Sequence, residues 1–254
     1  MIYSHEKSAA AREIFGPREQ VRTAPQILGE ELTSAALDMS SHPWVSGTLG
    51  PKERALILFS LDASASQLEP SRLPQRIADA RAEGATDREI IGVLHLTTLM
   101  ACHSVAVGGS ILYDVLLERG AMTDVDSLTD EQEEAIRHYE EDGAAPRTIS
   151  KKLRALMLTD LEHFNDTQSY INLAYANTEV IGARFAHLVC LAFDAAPSHL
   201  YEPGIRIHIK EALDNGATIP EINEVIQLAS LRGWRSMSAG LEALTKDASA
   251  ESAF

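Results

Sequence analysis

Two ionisable side chains lie where the pattern of the sequence would otherwise place apolar residues. Glu224 has Leu228 and Leu231 four and seven positions later, so its carboxylate falls on the apolar row of a helix. His208 falls on the inward row of the preceding helix, with Ala212 one turn on. A buried carboxylate is costly unless it is paired, protonated or facing a cavity. The two residues therefore indicate acid–base chemistry, for which a histidine that titrates near neutrality is suited.

A short turn, Asn215-Gly216-Ala217, separates the two predicted helices. A helical hairpin at this turn would bring the two inward faces together, so we expect His208 and Glu224 to meet in one pocket. The alternative is that His208 is a satisfied core histidine and that neither residue reacts. Glutamate is rarely buried without a partner, which favours the functional interpretation.

The elements that position these residues are written twice in the chain. Residues 49–70 align with residues 181–202 without a gap, at an offset of 132. The same offset also aligns the residues that follow each of these two segments. We therefore predict two copies of one domain. Arg76 and Gly92 in the first copy stand where the second copy has its histidine and glutamate. This difference is expected if the second copy keeps a working site and the first has lost one.

Each copy contains the phrase Gly-Ala-Thr-x-x-Glu, which indicates a helix end, a turn and a capped helix start. Its residues are Gly84, Thr86 and Glu89 in the first copy and Gly216, Thr218 and Glu221 in the second. The apolar run LILFSL (56–61) follows Pro51, a residue favoured in the first turn of a helix, so we predict helix there. Alternating strand patterns are absent from the sequence, and the predicted fold class is all-α.

The repeat also sets the predicted domain boundaries. We predict an N-terminal arm at 1–45, a first repeat with a degenerate site at 46–120, an acidic helical connector at 121–177 and a second repeat at 178–254. Residues 124–142 hold nine acids against Arg137. This composition is typical of a solvated helix, which we expect Thr129 to cap.

Composition excludes several classes of function. The net charge of −15 argues against nucleic acid or an anionic membrane as a partner. The two cysteines, Cys102 and Cys190, are far apart and have no metal-binding spacing, so we predict neither a disulfide framework nor a metal site. No secretory signal is recognisable, and no uninterrupted apolar run reaches the roughly 18–20 residues of a membrane span. We therefore expect a cytoplasmic protein.

The stretch HIKEALDNGATIPEINEVIQLASLRGW, residues 208–234, resembles the motif of the carboxymuconolactone decarboxylase family, which includes the alkylhydroperoxidase D-like proteins. Residues 76–102 match the same motif more weakly. The resemblance implies an all-helical fold of two tandem domains and a homo-oligomeric ring, which for a two-domain chain would be a trimer that forms a pseudo-hexamer.

The resemblance also separates two classes of enzyme. Peroxidase members need a Cys-x-x-Cys pair, which a disulfide cycle requires. The matching positions here hold Ser104 and Val107 in the first copy and Ser236 and Ala239 in the second. A redox role is therefore the less favoured alternative.

The decarboxylase members keep a histidine and a glutamate that match His208 and Glu224. A further family histidine falls near Ala243 and is missing here, which puts the family substrate in question. His187 stands where many members have glutamate; it either replaces the missing histidine or is an ordinary helix residue.

The resemblance thus implies a cofactor-independent lyase that removes CO₂ from a carboxylated lactone or a related ring acid. We predict that His208, Glu224 and His187 are catalytic. We predict that Arg232, Arg235 and Trp234 bind the substrate, although a surface arginine pair beside a core tryptophan is an open alternative. The alternative function is a non-catalytic small-molecule-binding or assembly protein on the same scaffold.

Overall fold

The structure is a computed structural model that describes residues 4–121, 128–141 and 151–251. These residues form helices and turns without a β-strand, which confirms the all-α prediction. The chain divides into two compact units. Unit 1 consists of Met1–Ile90 and Ala183–Phe254, and unit 2 of Ile91–Gly182.

Unit 1 contains two groups of helices, one from each end of the chain. The first group is α1 (His5–Phe15), α2 (Arg18–Leu28), α3 (Glu30–Ser40), α4 (His42–Val45), α5 (Pro51–Ala63) and α6 (Leu73–Ala82). Helix α7 (Asp87–Thr98) begins in unit 1 and ends in unit 2. The second group is α12 (Ala183–Asp194), α13 (Glu202–Asp214), α14 (Ile219–Ser230), a 3₁₀ helix (Leu231–Trp234) and α15 (Arg235–Glu251).

Helices α5 and α12 occupy equivalent places in the two repeats and form the centre of unit 1. LILFSL is buried within α5, and Pro51 is in the first helical turn, as predicted. Helix α12 is buried from Phe185 to Asp194 apart from His187, and it packs against α5, α13 and α14. A polar group among the buried residues of these two helices is unfavourable unless it has a hydrogen-bond or charge partner.

The repeated phrase forms the predicted turn in both copies. Gly84 and Gly216 have φ angles of 87° and 91°, the left-handed conformation that favours glycine. In the first copy, Glu89 N–H donates to Thr86 Oγ1 at 3.2 Å and Thr86 N–H donates to the Glu89 carboxylate at 2.7 Å. The second copy has the same reciprocal pair between Thr218 and Glu221. Both capping boxes are confirmed.

The segment predicted as an N-terminal arm is helical and supplies part of the core of unit 1. Ala10, Ala11, Ile14 and Phe15 of α1 are fully buried, because their spacing places them on one face of the helix. The compact units also divide the chain differently from the predicted repeats, since the boundary at Ile90 falls inside residues 46–120.

Unit 2 is built from helices with a small apolar core of its own. Its helices after α7 are α8 (Met100–Glu118), α9 (Asp130–Glu141), α10 (Lys151–Thr159) and α11 (Leu161–Ala176). Phe164 and Met157 are fully buried at its centre. Thr129 caps α9 as predicted, through reciprocal hydrogen bonds with Gln132. The acidic residues at 124, 126 and 142 lie outside the described residues.

One helical stretch, Asp87–Glu118, comprises α7 and α8 and is long enough to cross a membrane. It includes an 18-residue window with a mean hydropathy of 1.8. No uninterrupted apolar run of roughly 18–20 residues occurs in the sequence, but a mean over 18 residues reaches this value although the window contains polar residues. Core helices of soluble proteins pass the same test, so the stretch is weak evidence for a membrane.

Candidate active site in the second repeat

Two of the predicted catalytic residues meet between α12 and α13. His187 Nδ1 lies 3.1 Å from His208 Nδ1, and the ring centroids are 5.4 Å apart. At this distance one nitrogen carries the proton and the other accepts it, so the two imidazoles share a proton. Both rings are half-buried. The histidine pair is therefore partly shielded from water and still accessible to a small molecule.

Asp194, the last residue of α12, lies next to this pair. Its Oδ2 is 3.7 Å from His208 Nε2, and its Oδ1 is 3.7 Å from His199 Nε2. The side chain is fully buried, and burial raises the pKa of Asp194 to about 8. The carboxyl group is therefore mostly protonated at pH 7 and can donate a proton, as a catalytic acid must.

The environment of Asp194 also affects its other neighbours. Burial lowers the pKa of His199, because an imidazolium is poorly solvated there. Burial, followed by the charge of Asp194, raises the pKa of Tyr201. Both effects favour neutral groups around the carboxyl. Asp194, His199 and Tyr201 are therefore mainly neutral at pH 7.

A glycine makes room for the Asp194 carboxyl group. A Cβ atom on Gly204 of α13 would lie 1.9 Å from Asp194 Oδ2 and 2.7 Å from a ring carbon of Tyr201. Any side chain at this position would displace the acid. The glycine therefore allows the first turn of α13 to lie directly against Asp194.

Asp194 is not among the site residues predicted from the sequence, although it lies within the aligned segment 181–202. A signal was present: the acid ends an apolar helix, and the repeat has an acid, Asp62, at the equivalent position. An ionisable residue kept in both copies of a buried helix end indicates a specific partner in each copy.

Glu224 has a different set of contacts from His208. Its carboxylate accepts hydrogen bonds from Thr48 N–H at 2.5 Å and Leu49 N–H at 2.8 Å, and it pairs with Arg54 Nε at 3.0 Å. Gly47 permits this approach, since a Cβ atom there would lie 2.5 Å from Glu224 Oε1. Glu224 is buried, as its place on the apolar row of the helix predicted. Its hydrogen bonds stabilise the loop that leads into α5.

The expected meeting of His208 and Glu224 in one pocket is therefore wrong. The turn at Asn215-Gly216-Ala217 forms, but α13 and α14 each pack against α12 rather than mainly against each other. His208 faces α12, whereas Glu224 faces the loop before α5. The prediction assumed that a hairpin packs on itself, and here a third helix provides the buried surface for both arms.

The predicted substrate-binding arginines lie in a buried ionic cluster around Asp62. Arg232 Nη1 is 2.5 Å from Asp62 Oδ1, and Arg235 also binds this carboxylate. Trp234 is half-buried in the 3₁₀ helix between them. Both guanidinium groups are thus already bound to an acid of the protein. The cluster is completed by Glu13, Arg72 and Arg76.

Glu13 of α1 is held by three guanidinium groups of this cluster. Arg76 binds it through two nitrogens, at 2.7 and 2.6 Å, and Arg72 and Arg232 bind it at 2.9 and 2.8 Å. Burial would raise the pKa of Glu13, but the charges of Arg76 and Arg232 outweigh burial and hold it well below its usual range. Glu13 therefore stays ionised inside the protein.

Comparison with solved structures identifies the architecture. A crystal structure of a putative gamma-carboxymuconolactone decarboxylase subunit from Burkholderia xenovorans LB400 matches with a TM-score of 0.83 at 24% sequence identity, and the match covers 97% of each chain. The chain has the carboxymuconolactone decarboxylase-like fold. This finding confirms the fold expected from the resemblance. No family model and no curated protein sequence matches the chain.

The carboxymuconolactone decarboxylase-like fold here carries two single cysteines. Cys102 is half-buried, and burial raises the pKa of its thiol. Cys190 is fully buried in α12. A thiol reacts as its thiolate, which a raised pKa disfavours. Neither cysteine therefore has the environment of a reactive thiol.

Unit 2 contains a cleft of about 530 Å³. Its walls come from α9 and α11 and include Glu131, Glu134 and His138. None of the predicted catalytic or substrate-binding residues lines it. The cleft is therefore separate from the chemistry assigned to the second repeat.

Proposed function

We propose that the protein is a cofactor-independent lyase that releases CO₂ from a carboxylated lactone or a related ring acid. The observation that carries this proposal is the histidine pair His187–His208 beside the protonated, buried Asp194. The fold shared with the Burkholderia protein supports the reaction class. Its identity of 24% is too low to carry an activity across.

The proposed reaction needs an acid but no redox group. The bond between the ring carbon and the carboxylate breaks, and its electron pair moves into the conjugated carbonyl to give an enolate. CO₂ leaves, and a proton is delivered to the ring carbon. His187 delivers that proton, because His208 is the member of the pair that lies beside Asp194. His208 resupplies His187 through the 3.1 Å contact, since hydrogen-bond distance allows direct transfer.

Asp194 serves as the proton reserve behind the pair. The separation of 3.7 Å from His208 Nε2 exceeds a direct hydrogen bond, so a small movement or one water molecule must bridge it. Its protonated form also prevents a permanent imidazolium–carboxylate pair, which would hold the proton too tightly to release. The three groups thus form a chain from the buried acid to the half-exposed His187.

Two of the predicted assignments change in this proposal. Glu224 becomes a positioning residue, because its carboxylate is already bound to two backbone N–H groups and Arg54. Arg232 and Arg235 become parts of the ionic cluster, since Asp62 already binds both. Substrate contact by Trp234 and assembly into a trimeric ring stay predictions.

The proposal is tested by measuring the release of CO₂ from a carboxymuconolactone-type substrate. The variants are His208→Gln and His187→Gln, and the control is His163→Gln, an exposed histidine of α11. We expect each of the first two to lower kcat by about 10²- to 10⁴-fold, the usual contribution of a general acid–base group. His163→Gln should retain wild-type activity.

The pH dependence of activity is a second test of the same proposal. Activity that uses protonated Asp194 should decline as the pH rises through about 8, and Asp194→Asn should lower kcat and abolish that decline. A wild-type protein that binds the substrate without turning it over would contradict the lyase and favour the non-catalytic binder.

A further inference from the structure

The ionic cluster around Asp62 joins parts of the chain that the repeat does not explain. Its members are Glu13, Asp62, Arg72, Arg76, Arg232 and Arg235, and all lie in unit 1. We call the four arginines the arginine cradle. Asp62 is a repeat residue with an equivalent in Asp194. Glu13 has no equivalent in the repeats, because α1 precedes them both.

Glu13 is bound in the way that arginine binds a free carboxylate. Two nitrogens of Arg76 face its two oxygens at 2.7 and 2.6 Å, and Arg72 and Arg232 add contacts to Oε2. Paired parallel N–H donors are the strongest geometry for carboxylate recognition. The side chain of Glu13 is 8% exposed, so this recognition takes place with water largely excluded.

The cradle carries more positive charge than its two acids neutralise. Four guanidinium groups face two carboxylates, in a chain whose net charge is −15. The side chains of Arg76 and Arg232 are 6% and 1% exposed, whereas Arg72 and Arg235 are 32% and 26% exposed. The cradle thus has a buried floor and a partly open rim. Without Glu13, Asp62 would be the one remaining carboxylate for four guanidinium groups, and buried positive charge that is so poorly compensated is strongly unfavourable.

The place of the cradle in the repeat indicates its origin. Arg76 stands where the second repeat has His208, and Arg72 stands where it has Gly204. The first repeat therefore has a strong binder of anions at the position where the second has its acid–base pair. The carboxylate of Glu13 fills the space that a ligand would need.

We propose that the arginine cradle of the first repeat is a carboxylate-binding site whose ligand is supplied by the chain itself through Glu13, and that a free monocarboxylate binds there when that side chain is removed. Helix α1 is then attached to unit 1 by an interaction equivalent to ligand binding. The proposal concerns the first repeat and is independent of whether the second repeat is a lyase.

Chemical rescue of the full-length chain tests this proposal. Glu13→Ala opens the space, and Glu13→Gln fills it with a neutral group of the same shape. The control is Glu19→Ala, an exposed acid at the start of α2. Thermal unfolding is followed by circular dichroism in sodium acetate and in sodium chloride at equal ionic strength.

We expect Glu13→Ala to lower Tm by roughly 5 °C or more, because Asp62 alone then balances the buried guanidinium groups. Acetate should restore at least about half of this loss in a saturable way, as a ligand specific for the folded state does. Chloride should not. Glu13→Gln should lose stability without acetate rescue, and Glu19→Ala should behave as the wild type.

Equal effects of acetate and chloride on Glu13→Ala would overturn the proposal, as would a larger rescue by sulfate or phosphate than by acetate. If Glu13→Ala does not fold in chloride, refolding from denaturant with added acetate replaces the melting experiment. Recovery of helical signal with acetate would support the site, and no recovery would overturn it.

Discussion

Asp62 and Asp194 occupy the same place in the two repeats and have opposite environments. Arginines surround Asp62; burial would raise its pKa, but the charges of Arg232 and Arg76 outweigh burial and lower it. Asp194 lies against histidines, and burial raises its pKa to about 8. One inherited carboxyl group has thus become a permanent anion in the first repeat and a neutral acid in the second. The neighbours of a buried acid, and not its burial alone, decide which it becomes.

The clearest way to break this comparison is to replace the carboxyl group of each aspartate by an amide in turn. Asp62→Asn should lower the free energy of unfolding by about 3–5 kcal/mol at pH 7, because Glu13 is then the one remaining carboxylate for the buried guanidinium groups of Arg76 and Arg232. Asp194→Asn should instead raise it at pH 7, by up to about 4 kcal/mol, because the amide resembles the neutral acid and has no proton to lose when the chain unfolds. Urea denaturation of both variants at pH 7 measures the difference. Equal losses would show that the two acids carry the same charge.

The repeats also differ at the position that holds Gly204 in the second repeat and Arg72 in the first. Gly204→Ala should lower the free energy of unfolding by about 1–3 kcal/mol, because the new Cβ atom displaces Asp194 and Tyr201. It should also reduce any activity that depends on Asp194. The control is Gly240→Ala in α15, where no atom lies within 4 Å of the new Cβ and alanine favours the helix. A tolerated Gly204→Ala would mean that Asp194 is not held where the structure places it.

The free energy of unfolding should depend on pH in opposite directions for the buried acids of the two repeats. An unfolded aspartate has a pKa near 3.9. Between about pH 4 and pH 8 the folded protein keeps a proton on Asp194 that the unfolded chain has lost. The free energy of unfolding should therefore fall by up to about 1.4 kcal/mol per pH unit as the pH rises through this window. Asp194→Asn should remove this slope.

Glu13 and Asp62 should act in the opposite direction and at lower pH. Their pKa values are lowered in the folded state, so the stability that they contribute is present above about pH 4 and is lost as the pH falls further. Subtracting the Asp194→Asn profile from the wild-type profile isolates Asp194 from these groups and from His199. A difference that is flat between pH 5 and pH 8 would contradict a neutral Asp194.

The capping boxes are the part of the repeats that has stayed the same, so they should show the smallest contrast. Thr86→Ala and Thr218→Ala should each lower the free energy of unfolding by about 1 kcal/mol. Each box is reinforced by a cation on its glutamate, Lys52 in the first repeat and Arg184 in the second, both at 2.6 Å. Denaturant midpoints of the two variants should agree closely, and a large inequality would show that the boxes are not equivalent.

Local signals in the sequence were sufficient for the scaffold. The positive φ angles of Gly84 and Gly216 and the reciprocal bonds of Thr86 and Thr218 depend on residues within a few positions of each other. Helix α5 followed from Pro51 and the buried run after it. Such features repeat with the sequence, so each local prediction in one copy has a counterpart at the offset of 132 in the other.

The site needed information that no local pattern contains. The partner of Glu224 is a loop more than 170 positions away, and the partner of Glu13 on the 3₁₀ helix is more than 200 positions away. The pattern correctly placed Glu224 inside the protein but could not name what it binds. Asp194 was visible as a repeated acid, yet its role follows only from His208 and Gly204, which pack against it in the folded chain.

The division of unit 1 between the two ends of the chain has a consequence for synthesis. Unit 2, residues Ile91–Gly182, is continuous and leaves the ribosome before Ala183–Phe254 has been made. The N-terminal helices cannot complete their contacts until the C-terminal residues have been synthesised. Glu13 binds Arg232, and the loop before α5 binds Glu224. Contacts of such long sequence separation form late and slowly. During translation, the middle of the chain can therefore fold first, while the N-terminal helices stay incomplete until the second repeat emerges.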